Sequence, residues 1–384
     1  MKICFLGDGC SPIIRSWAEY FAQEGNIVDL ITANMATPPM PWVSVHRVGD
    51  KHPRKLLTFI RIIWRTKRTI KRIHPDIIHA HSIYAYGVPA ALSGAHPFVG
   101  TQMGDDIGVL TYRSWIAREA VKRVLRNIDV LFAKDIYAKQ RAIELGCDER
   151  KIKLLTSTCD TKQFSPEARS NELRIRLGVQ ATDVLAIFTR PFTDQYRVDI
   201  LERALPLAFE HNPNLKVILL ERGDYKPVKA RLAPYKGIIW LPPIPHEQFH
   251  TYLASADMFI DTFVPRDGML GHAHGTAVVE AMACGLPLIL PDKPEFHFPW
   301  FNALLFPIEN WYGFVLTIDE LAEDSSWRAY LGTEARKLAV QYFDRSVVMG
   351  QAFHTYNSLL SAGCVERERV LSEGSLVSER KGRE

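Results

Sequence analysis

Residues 256–292 read ADMFIDTFVPRDGMLGHAHGTAVVEAMACGLPLILPD, and this stretch decides the fold. An apolar run, a glycine-rich loop, a helical stretch, a Gly-Leu-Pro turn and a second apolar run predict a strand, a helix and a strand. The backbone N–H groups of Gly275, Thr276 and Ala277 would lie at the N-terminus of the helix, where unpaired donors and the helix dipole favour a diphosphate. Glu280 follows one turn later and is placed to accept hydrogen bonds from two neighbouring ribose hydroxyls. An ordinary structural helix is the alternative interpretation.

The same alternation of strands and helices continues outward in both directions. It predicts an α/β fold in which each half of the chain is a doubly wound parallel sheet. A long helical stretch is predicted over 325–362. Strands are predicted at 2–6, 27–32, 77–80, 98–101 and 130–133 in the first half, and at 184–189, 216–220, 237–241, 258–262 and 288–290 in the second.

A chain of 384 residues is long enough for two domains. The polar stretch 160–171 contains a proline and predicts the interdomain linker. We therefore expect an N-terminal Rossmann-like domain over 1–165 and a C-terminal Rossmann-like domain over 166–345. A helix over 346–362 is expected to cross back to the first domain, and the charged tail 363–384 is expected to be disordered.

The composition is that of a globular protein, with 47% hydrophobic and 23% charged residues. No window offers the roughly 18 uninterrupted apolar residues of a membrane-spanning helix, and the first apolar run is too short for a secretory signal. We therefore expect a cytoplasmic protein. The six cysteines form no CxxC pair and have no histidine at zinc-ligand spacing, which indicates reduced thiols and no metal site.

The basic residues are unevenly distributed although the formal net charge is only +4. Every charged residue from Lys51 to Arg72 is basic, and apolar residues are interleaved with them. This pattern predicts a basic amphipathic helix that contacts an anionic membrane surface, which would make the protein peripheral on the cytoplasmic face. The alternative is a surface helix that packs its apolar side on the first domain. We expect no nucleic-acid partner.

The first strand ends in a Gly-Asp-Gly turn, in which Gly7 and Gly9 let the backbone approach a ligand at the carboxyl end of the sheet. This turn is not a dinucleotide fingerprint. Pro12 stands where the third glycine is needed, and no acidic residue ends the second strand near Asn34. A nicotinamide-dependent enzyme is therefore disfavoured.

Two further features of the first half are candidates for a site. His79 and His81 alternate along one strand, so we expect them to face opposite sides, with one of them reaching the ligand cleft. Each is alternatively a core or surface histidine. Asp105 and Asp106 are adjacent carboxylates, which by themselves are only a weak sign of a metal site.

The run HGTAVVEAMACGLPLI resembles the donor-site motif of the retaining glycosyltransferases of family 4. Other stretches match that family in the same order, so the resemblance spans roughly residues 1–360. It implies the GT-B fold, in which two Rossmann-like domains face a central cleft. The matching stretches are KICFLGDG, WAEYFAQEGNIVDLIT, PDIIHAHSIYAYG, GDDI, ELGCDERKIKLLTSTCDTKQFSP, RPFTDQYRVDIL and ADMFIDTF.

The resemblance assigns roles on the donor side. Arg190 stands at the position of the phosphate-binding arginine, and Arg197 is the candidate for the family's lysine. Glu280 corresponds to the second of two glutamates eight positions apart. At the first of these positions the chain has His272 instead, so His272, or Asp267 in the same loop, is the candidate for holding the transferred sugar.

On the acceptor side the resemblance covers a Gly-x-Asp segment. Met103 occupies the place where the family often has a histidine that lines the sugar site. Gly104 and Asp105 follow it and are cleft candidates. They join the three candidates named above, which are Gly7, Gly9 and His81.

The expected function is sugar transfer from a nucleotide-diphosphate-sugar donor to a glycan, lipid-linked or small-molecule acceptor. Retention, and operation without a cofactor or metal, follow from the resemblance. The expected catalytic residues are Arg190, Arg197 and His272, with Glu280 and the helix N-terminus binding the donor. The alternative is a non-catalytic GT-B binding or scaffold subunit, which the departures at His272 and Met103 favour.

We predict that His272→Ala lowers sugar transfer far more than it lowers binding of the bare nucleotide. A neutral imidazole accepts one hydrogen bond and donates one, so it suits a different hydroxyl pattern from that of a glutamate. Transfer rates and nucleotide affinity of the parent, His272→Ala and His272→Glu measure the effect. Transfer by His272→Ala at the parent's rate would make His272 a bystander and Asp267 the better candidate.

Overall fold

The computed structural model describes residues 1–34, 39–49, 56–104, 106–193, 196–263, 275–292, 303–307 and 309–362, with the backbone alone over 56–58. These residues form two compact units. The first contains the described residues of Met1–Leu155 and those from Met349 onward, and the second contains the described residues between Thr156 and Val348. Each unit is a parallel sheet with helices packed on it, so the predicted α/β fold with two Rossmann-like sheets is confirmed.

The first unit has, within the described ranges, a sheet of seven parallel strands. The strands are β1 (Lys2–Leu6), β2 (Ile27–Thr32), β3 (Val43–Arg47), β4 (Ile77–His81), β5 (Phe98–Thr101), β6 (Val130–Ala133) and β7 (Ile152–Leu154). Their order is β3-β2-β1-β4-β5-β6-β7. The helices are α1 (Pro12–Gln23), α2 (Leu56–Ile73), α3 (Gly87–Ser93), α4 (Val109–Arg113), α5 (Trp115–Asn127) and α6 (Ile136–Glu144).

The second unit has six parallel strands among its described residues. They are β8 (Val184–Phe188), β9 (Leu215–Leu220), β10 (Ile238–Leu241), β11 (Met258–Ile260), β12 (Leu288–Pro291) and β13 (Leu304–Phe306). Their order is β10-β9-β8-β11-β12-β13. The helices are α7 (Asn171–Arg176), α8 (Val198–His211), α9 (Tyr225–Leu232), α10 (His246–Ser255), α11 (Thr276–Ala283), α12 (Trp311–Glu323) and α13 (Ser325–Leu338).

The central strands are buried almost throughout, as expected for parallel strands covered on both faces. All five residues of β4 are buried, and so are four of the five in β1. The edge strands β3 and β7 are mostly exposed and lack a continuous apolar run. The sequence pattern predicted neither strand, because hydrophobic patterning reports burial, which edge strands largely lack.

The helical stretch predicted over 325–362 is interrupted, and its last part begins next to residue 346, where the separate C-terminal helix was expected to start. After α13 the chain continues as a π-helical segment, Ala339–Phe343, and then breaks at Asp344 before a helix over 345–362, here called α14. Asp344 Oδ1 accepts a hydrogen bond from the backbone N–H of Ser346 at 2.8 Å, and Oδ2 accepts one from the hydroxyl of Thr161. The Asp344 carboxylate thus caps the N-terminus of α14, and the preceding helical segment ends just before it.

The stretch 160–171, expected to be a linker, instead packs on the second unit. Phe164 is 2% exposed and belongs to the hydrophobic core of that unit. Its backbone carbonyl accepts a hydrogen bond from Arg336 at 2.8 Å. The division between the units lies earlier, after Leu155. Local polarity suggested a linker because one buried phenylalanine within a polar segment is a weak sequence signal.

Helix α14 brings the chain back to the first unit. Tyr356 is fully buried there, and its hydroxyl lies 2.6 Å from Nδ1 of His79. Its ring also packs on Phe21 of α1, with 5.5 Å between centroids. No helix within the described ranges is both long and apolar enough to cross a membrane.

We predict that Gly332→Ala lowers the midpoint of thermal unfolding. A Cβ at Gly332 in α13 would lie 2.1 Å from the backbone oxygen of Gly285, so the two segments would have to separate. Overpacking of this kind costs about 1–3 kcal/mol. A midpoint equal to the parent's would contradict the close approach.

The matched control is Gly350→Ala, in α14. A Cβ there meets nothing within 4 Å, and the position is exposed. Alanine is favoured over glycine in an exposed helix interior by up to about 1 kcal/mol. Differential scanning calorimetry should therefore show the two substitutions shifting the midpoint in opposite directions.

Candidate functional site

The order of strands in the second unit defines where a ligand should bind. The chain runs from β8 outward to β9 and β10, and then returns to place β11 on the other side of β8. The connections after β8 and β11 therefore leave the sheet in opposite directions. The crevice at the carboxyl ends of two such strands is the usual ligand site of a doubly wound sheet.

Arg190 occupies this crevice. It follows β8, and its Nε and Nη2 donate hydrogen bonds to Oδ2 of Asp261 at 3.0 and 2.6 Å. Asp261 follows β11 and is 3% exposed. The rings of Tyr196 and Phe263 lie 5.4 and 5.3 Å from the guanidinium carbon. Burial opposes the charge of Arg190, but Asp261 and Tyr196 outweigh this effect and raise the pKa of Arg190, so the side chain is a fixed cation.

Gly275 brings the N-terminus of α11 to the same arginine. A Cβ at Gly275 would lie 3.0 Å from Nη2 of Arg190, so any larger residue would displace the guanidinium. Gly275 is the N-cap residue, and Thr276 and Ala277 begin the helix. The structure thus places the predicted helix N-terminus beside the predicted arginine. Both carry positive charge, and together they form a site suited to a phosphate.

Glu280 lies one turn further along α11 and is 4% exposed. Its Oε1 lies 2.8 Å from Nε2 of His246, the first residue of α10. Burial raises the pKa of Glu280, and His246 counteracts this in part. The hydrogen bond to Glu280 in turn raises the pKa of His246. The carboxylate of Glu280 can accept hydrogen bonds from hydroxyl groups. The imidazole of His246 compensates the negative charge of this carboxylate.

His246 is not among the site residues that the sequence predicted. It begins a helix that follows β10, at the carboxyl edge of the sheet. A histidine at that position is a signal that could have been used. Its partner Glu280 is 34 positions away in the chain, and only the fold brings the two together.

Arg197 has different contacts from Arg190. It is the N-cap residue of α8 with a left-handed backbone, φ 44°. Its guanidinium donates to Asp199 at 2.9 and 3.1 Å and lies 3.8 Å from Glu309. It also lines a cavity of about 660 Å³ next to Phe192. Its role at the phosphate site stays a prediction.

Three of the predicted site residues lie outside the described residues. They are Asp105, Asp267 and His272. Their proposed roles stay predictions.

The first unit has its own switch point, between β1 and β4. Gly7 follows β1, and a Cβ there would lie 3.0 Å from the side chain of Ile14, so the turn packs tightly on α1. The backbone N–H of Gly9 donates to the hydroxyl of Thr32 at 3.0 Å. The Gly-Asp-Gly turn therefore lies where a ligand of this sheet is expected.

The expectation that His79 and His81 face opposite sides is wrong. Their ring centroids are 4.3 Å apart, because residues two positions apart along a strand share a face. His81 is 2% exposed, packs against Trp17 and Phe5, and has no hydrogen-bond partner for either ring nitrogen among the described residues. Burial, and then the charge of Lys134, lower its pKa to about 3, so it is neutral.

Asp106 fixes the backbone at the end of the same sheet. Its Oδ2 accepts hydrogen bonds from the N–H groups of Ile83 at 2.5 Å and Met103 at 3.3 Å. Burial raises its pKa to about 7, although these hydrogen bonds counteract the shift. Gly104, which follows Met103, has a left-handed backbone with φ 56°. Asp106 therefore acts as a structural acceptor that holds two loops together.

Two family models match the chain. The first, described as glycosyl transferase 4-like, covers residues 2–135. The second, described as glycosyl transferases group 1, covers residues 170–338. The second match contains Arg190, Asp261, Gly275 and Glu280, which form the site built above.

The chain is 27% identical over 239 residues to the putative teichuronic acid biosynthesis glycosyltransferase TuaC of Bacillus subtilis, covering 60% of this chain and 57% of that protein. It is 25% identical over 301 residues to the GDP-mannose-dependent alpha-(1-6)-phosphatidylinositol monomannoside mannosyltransferase of Mycolicibacterium smegmatis. This match covers 72% of this chain and 76% of that enzyme.

The fold is also that of solved structures. HepE of Anabaena, solved in complex with UDP-glucose, matches with a TM-score of 0.75 at 20% identity, over 94% of this chain and 100% of that one. The likeness confirms the GT-B fold, and the family models and relatives confirm the expected enzyme class. The chain is therefore a group 1 glycosyltransferase with the GT-B fold.

Proposed function

We propose that the second unit binds the diphosphate of a nucleotide sugar between Arg190 and the N-terminus of α11. The observation that carries this proposal is the 3.0 Å approach between Nη2 of Arg190 and a Cβ position at Gly275. It brings a fixed guanidinium and a helix N-terminus to one point at the carboxyl ends of β8 and β11. That HepE was solved with UDP-glucose supports a donor of this class.

The chemistry requires positive charge at this point. Glycosyl transfer breaks the bond between the anomeric carbon and the diphosphate, and the leaving group gains negative charge as the bond lengthens. Preorganised donors aimed at such charge lower the barrier because they need no rearrangement during the reaction. Asp261 positions Arg190 for this role. Glu280, held by His246, binds the ribose hydroxyls of the donor.

The acceptor is proposed to bind in the first unit, at the carboxyl ends of β1 and β4. Gly7 and Gly9 let the backbone approach it there. Two relatives are named for teichuronic acid biosynthesis and for a phosphatidylinositol monomannoside, which supports a glycan or lipid-linked acceptor. We propose transfer with retention and without a bound metal, as the family resemblance implies.

The first unit is also proposed to contact an anionic membrane through α2. The described part of this helix is strongly basic, with Arg61, Arg65, Lys67 and Arg68 exposed. Trp64 lies among them and is 57% exposed. Such a surface suits a protein that reaches its acceptor at a membrane while it stays peripheral.

We predict that Arg190→Lys and Glu280→Gln each weaken nucleotide-sugar binding. Lysine keeps a cation beside Asp261 but loses the forked donors, and glutamine keeps the size of Glu280 without its charge. The loss of one charge-assisted hydrogen bond costs roughly 1.5–3 kcal/mol, which is about tenfold or more in affinity. Isothermal titration with UDP, GDP and their sugars measures it.

The matched control is Arg150→Lys, which alters an arginine that is also paired with a carboxylate, Asp148, at 2.6 Å. This pair belongs to the first unit, so nucleotide affinity should stay at the parent's value. If both Arg190→Lys and Glu280→Gln kept the parent's nucleotide affinity and thermal unfolding, the donor would not bind in this crevice.

We further predict that His246→Ala moves the pH dependence of nucleotide binding upward. Burial raises the pKa of Glu280 and His246 lowers it, so removal of the imidazole should raise the pKa further. Binding that needs the carboxylate is then lost at a higher pH as the pH falls. Nucleotide affinity measured from about pH 5 to 8.5 tests this, and an unshifted midpoint would show that the pair is not coupled to the nucleotide.

A further inference from the structure

A cavity of about 490 Å³ lies between the edge strand β3 and α2 in the first unit. Four of the residues that line it are arginines. The lining consists of Arg47, Val48, Arg65, Arg68, Thr69 and Arg72. None of these described lining residues is acidic. The described lining of the cavity therefore carries positive charge and no negative charge.

The four arginines come from two elements, β3 and α2, and converge on the cavity. Arg65, Arg68 and Arg72 are three and four positions apart along α2, so they share one face of the helix. Arg47 is the last residue of β3 and adds its side chain from the strand. Guanidinium groups from a strand and a helix thus surround one space.

Contacts with neighbouring residues hold three of these side chains. Nη1 of Arg65 donates to the backbone oxygen of Val48 at 3.3 Å. Arg68 lies over the ring of Trp64, 5.4 Å from its centroid. Such partial fixation lowers the entropy cost of binding because the side chains are already placed.

Arg72 is positioned through a histidine. Its Nη2 lies 3.4 Å from Nδ1 of His46, and Nε2 of His46 lies 2.6 Å from Oδ1 of Asp29. Asp29 is 5% exposed on β2. A neutral imidazole that donates to Asp29 and accepts from Arg72 fits both distances. The buried carboxylate thereby orients a guanidinium at the surface.

The chemistry of this cavity matches a phosphate group. Guanidinium groups bind phosphate oxygens through paired N–H donors, and several of them can share the oxygens of one phosphate. A diffuse basic surface attracts any anion, whereas a cavity lined by forked donors discriminates by geometry. A terminal phosphate offers the oxygens that these forks need.

The surroundings of the cavity point to a phosphate carried by a lipid. Trp64 and Ile60 on α2 are 57% and 52% exposed. Tryptophan is favoured at the interface between lipid and water, where its ring is buried and its N–H stays hydrated. A soluble phosphate compound would gain nothing from these two apolar side chains.

We propose that Arg47, Arg65, Arg68 and Arg72 form a specific binding site for the phosphate of an anionic lipid headgroup. The proposal rests on the membrane contact proposed above and adds a preference among anionic lipids. It assigns the cavity a ligand class, the phosphate of a lipid headgroup. The membrane contact alone would require only negative charge on the lipid surface. The preference is the property to measure.

The experiment compares the full-length protein on two kinds of phosphatidylcholine vesicle with the same zeta potential. One kind contains phosphatidic acid, and the other contains oleate, which is anionic but has no phosphate. We expect tighter binding to phosphatidic acid, and Arg68→Lys and Arg72→Lys should reduce that preference about tenfold because each loses a forked contact while keeping its charge. The matched control Arg61→Lys, on the same helix but outside the cavity, should keep the preference.

Trp64→Ala should weaken binding to both vesicles equally, since it removes the interfacial contact and not the phosphate site. Inorganic phosphate, titrated in the absence of vesicles, tests a soluble source. Equal binding of the parent to phosphatidic acid and oleate would overturn the phosphate site and leave the membrane contact intact. Binding to neither vesicle would refute both, and affinity for inorganic phosphate as high as for phosphatidic acid vesicles would overturn the lipid source.

Discussion

The ion pair between Arg190 and Asp261 joins the ends of β8 and β11. These are the two neighbouring strands of the second sheet from which the chain continues in opposite directions. Asp261 is 3% exposed, so an unpaired carboxylate there would be strongly unfavourable. The pair therefore fixes the guanidinium of Arg190 at one place, next to Gly275. The N-terminus of α11 lies beside this arginine, and Glu280 lies one turn further along the helix.

The helix that carries Glu280 is held from its other end as well. Gly285 ends the α11 segment with a left-handed backbone, φ 73°, and its carbonyl lies against Gly332 of α13. A glycine is needed at both places, at the first for the backbone conformation and at the second for the close approach. The N-terminus of α11 faces Arg190, and its C-terminus is fixed by packing.

Buried polar groups have different consequences in the two units. In the second unit His246 compensates the charge of Glu280, and Arg190 compensates that of Asp261. Charged groups therefore lie at the carboxyl edge of this sheet. In the first unit His79 is hydrogen-bonded to Tyr356, and burial lowers its pKa well below the usual value. Those polar groups anchor α14 and do not present charge. A run of exposed basic side chains lies on the surface of the first unit, along the described part of α2.

The sequence by itself determined the two parallel sheets and most of the central strands, and it predicted an anion-binding role for the helix after Gly275. These follow from short-range information, because buried strands are continuous apolar runs and a glycine-rich loop before a helix leaves donors unpaired. Resemblance to a family added Arg190 and agreed with the role that the position of Glu280 in the helix had already suggested. Neither the periodicity nor the family pattern pointed to His246 or Asp261 as their partners.

Only the tertiary structure decided which side chains meet. Residues 190 and 261 are 71 positions apart, and the four arginines beside β3 come from two separate elements. The edge strands β3 and β7, the π-helical segment before Asp344 and the shared face of His79 and His81 also appeared only with the fold. The physical reason is that pairing across strands and helices depends on register and packing, which are set by contacts distant in sequence, whereas a local pattern reports only burial and backbone preference.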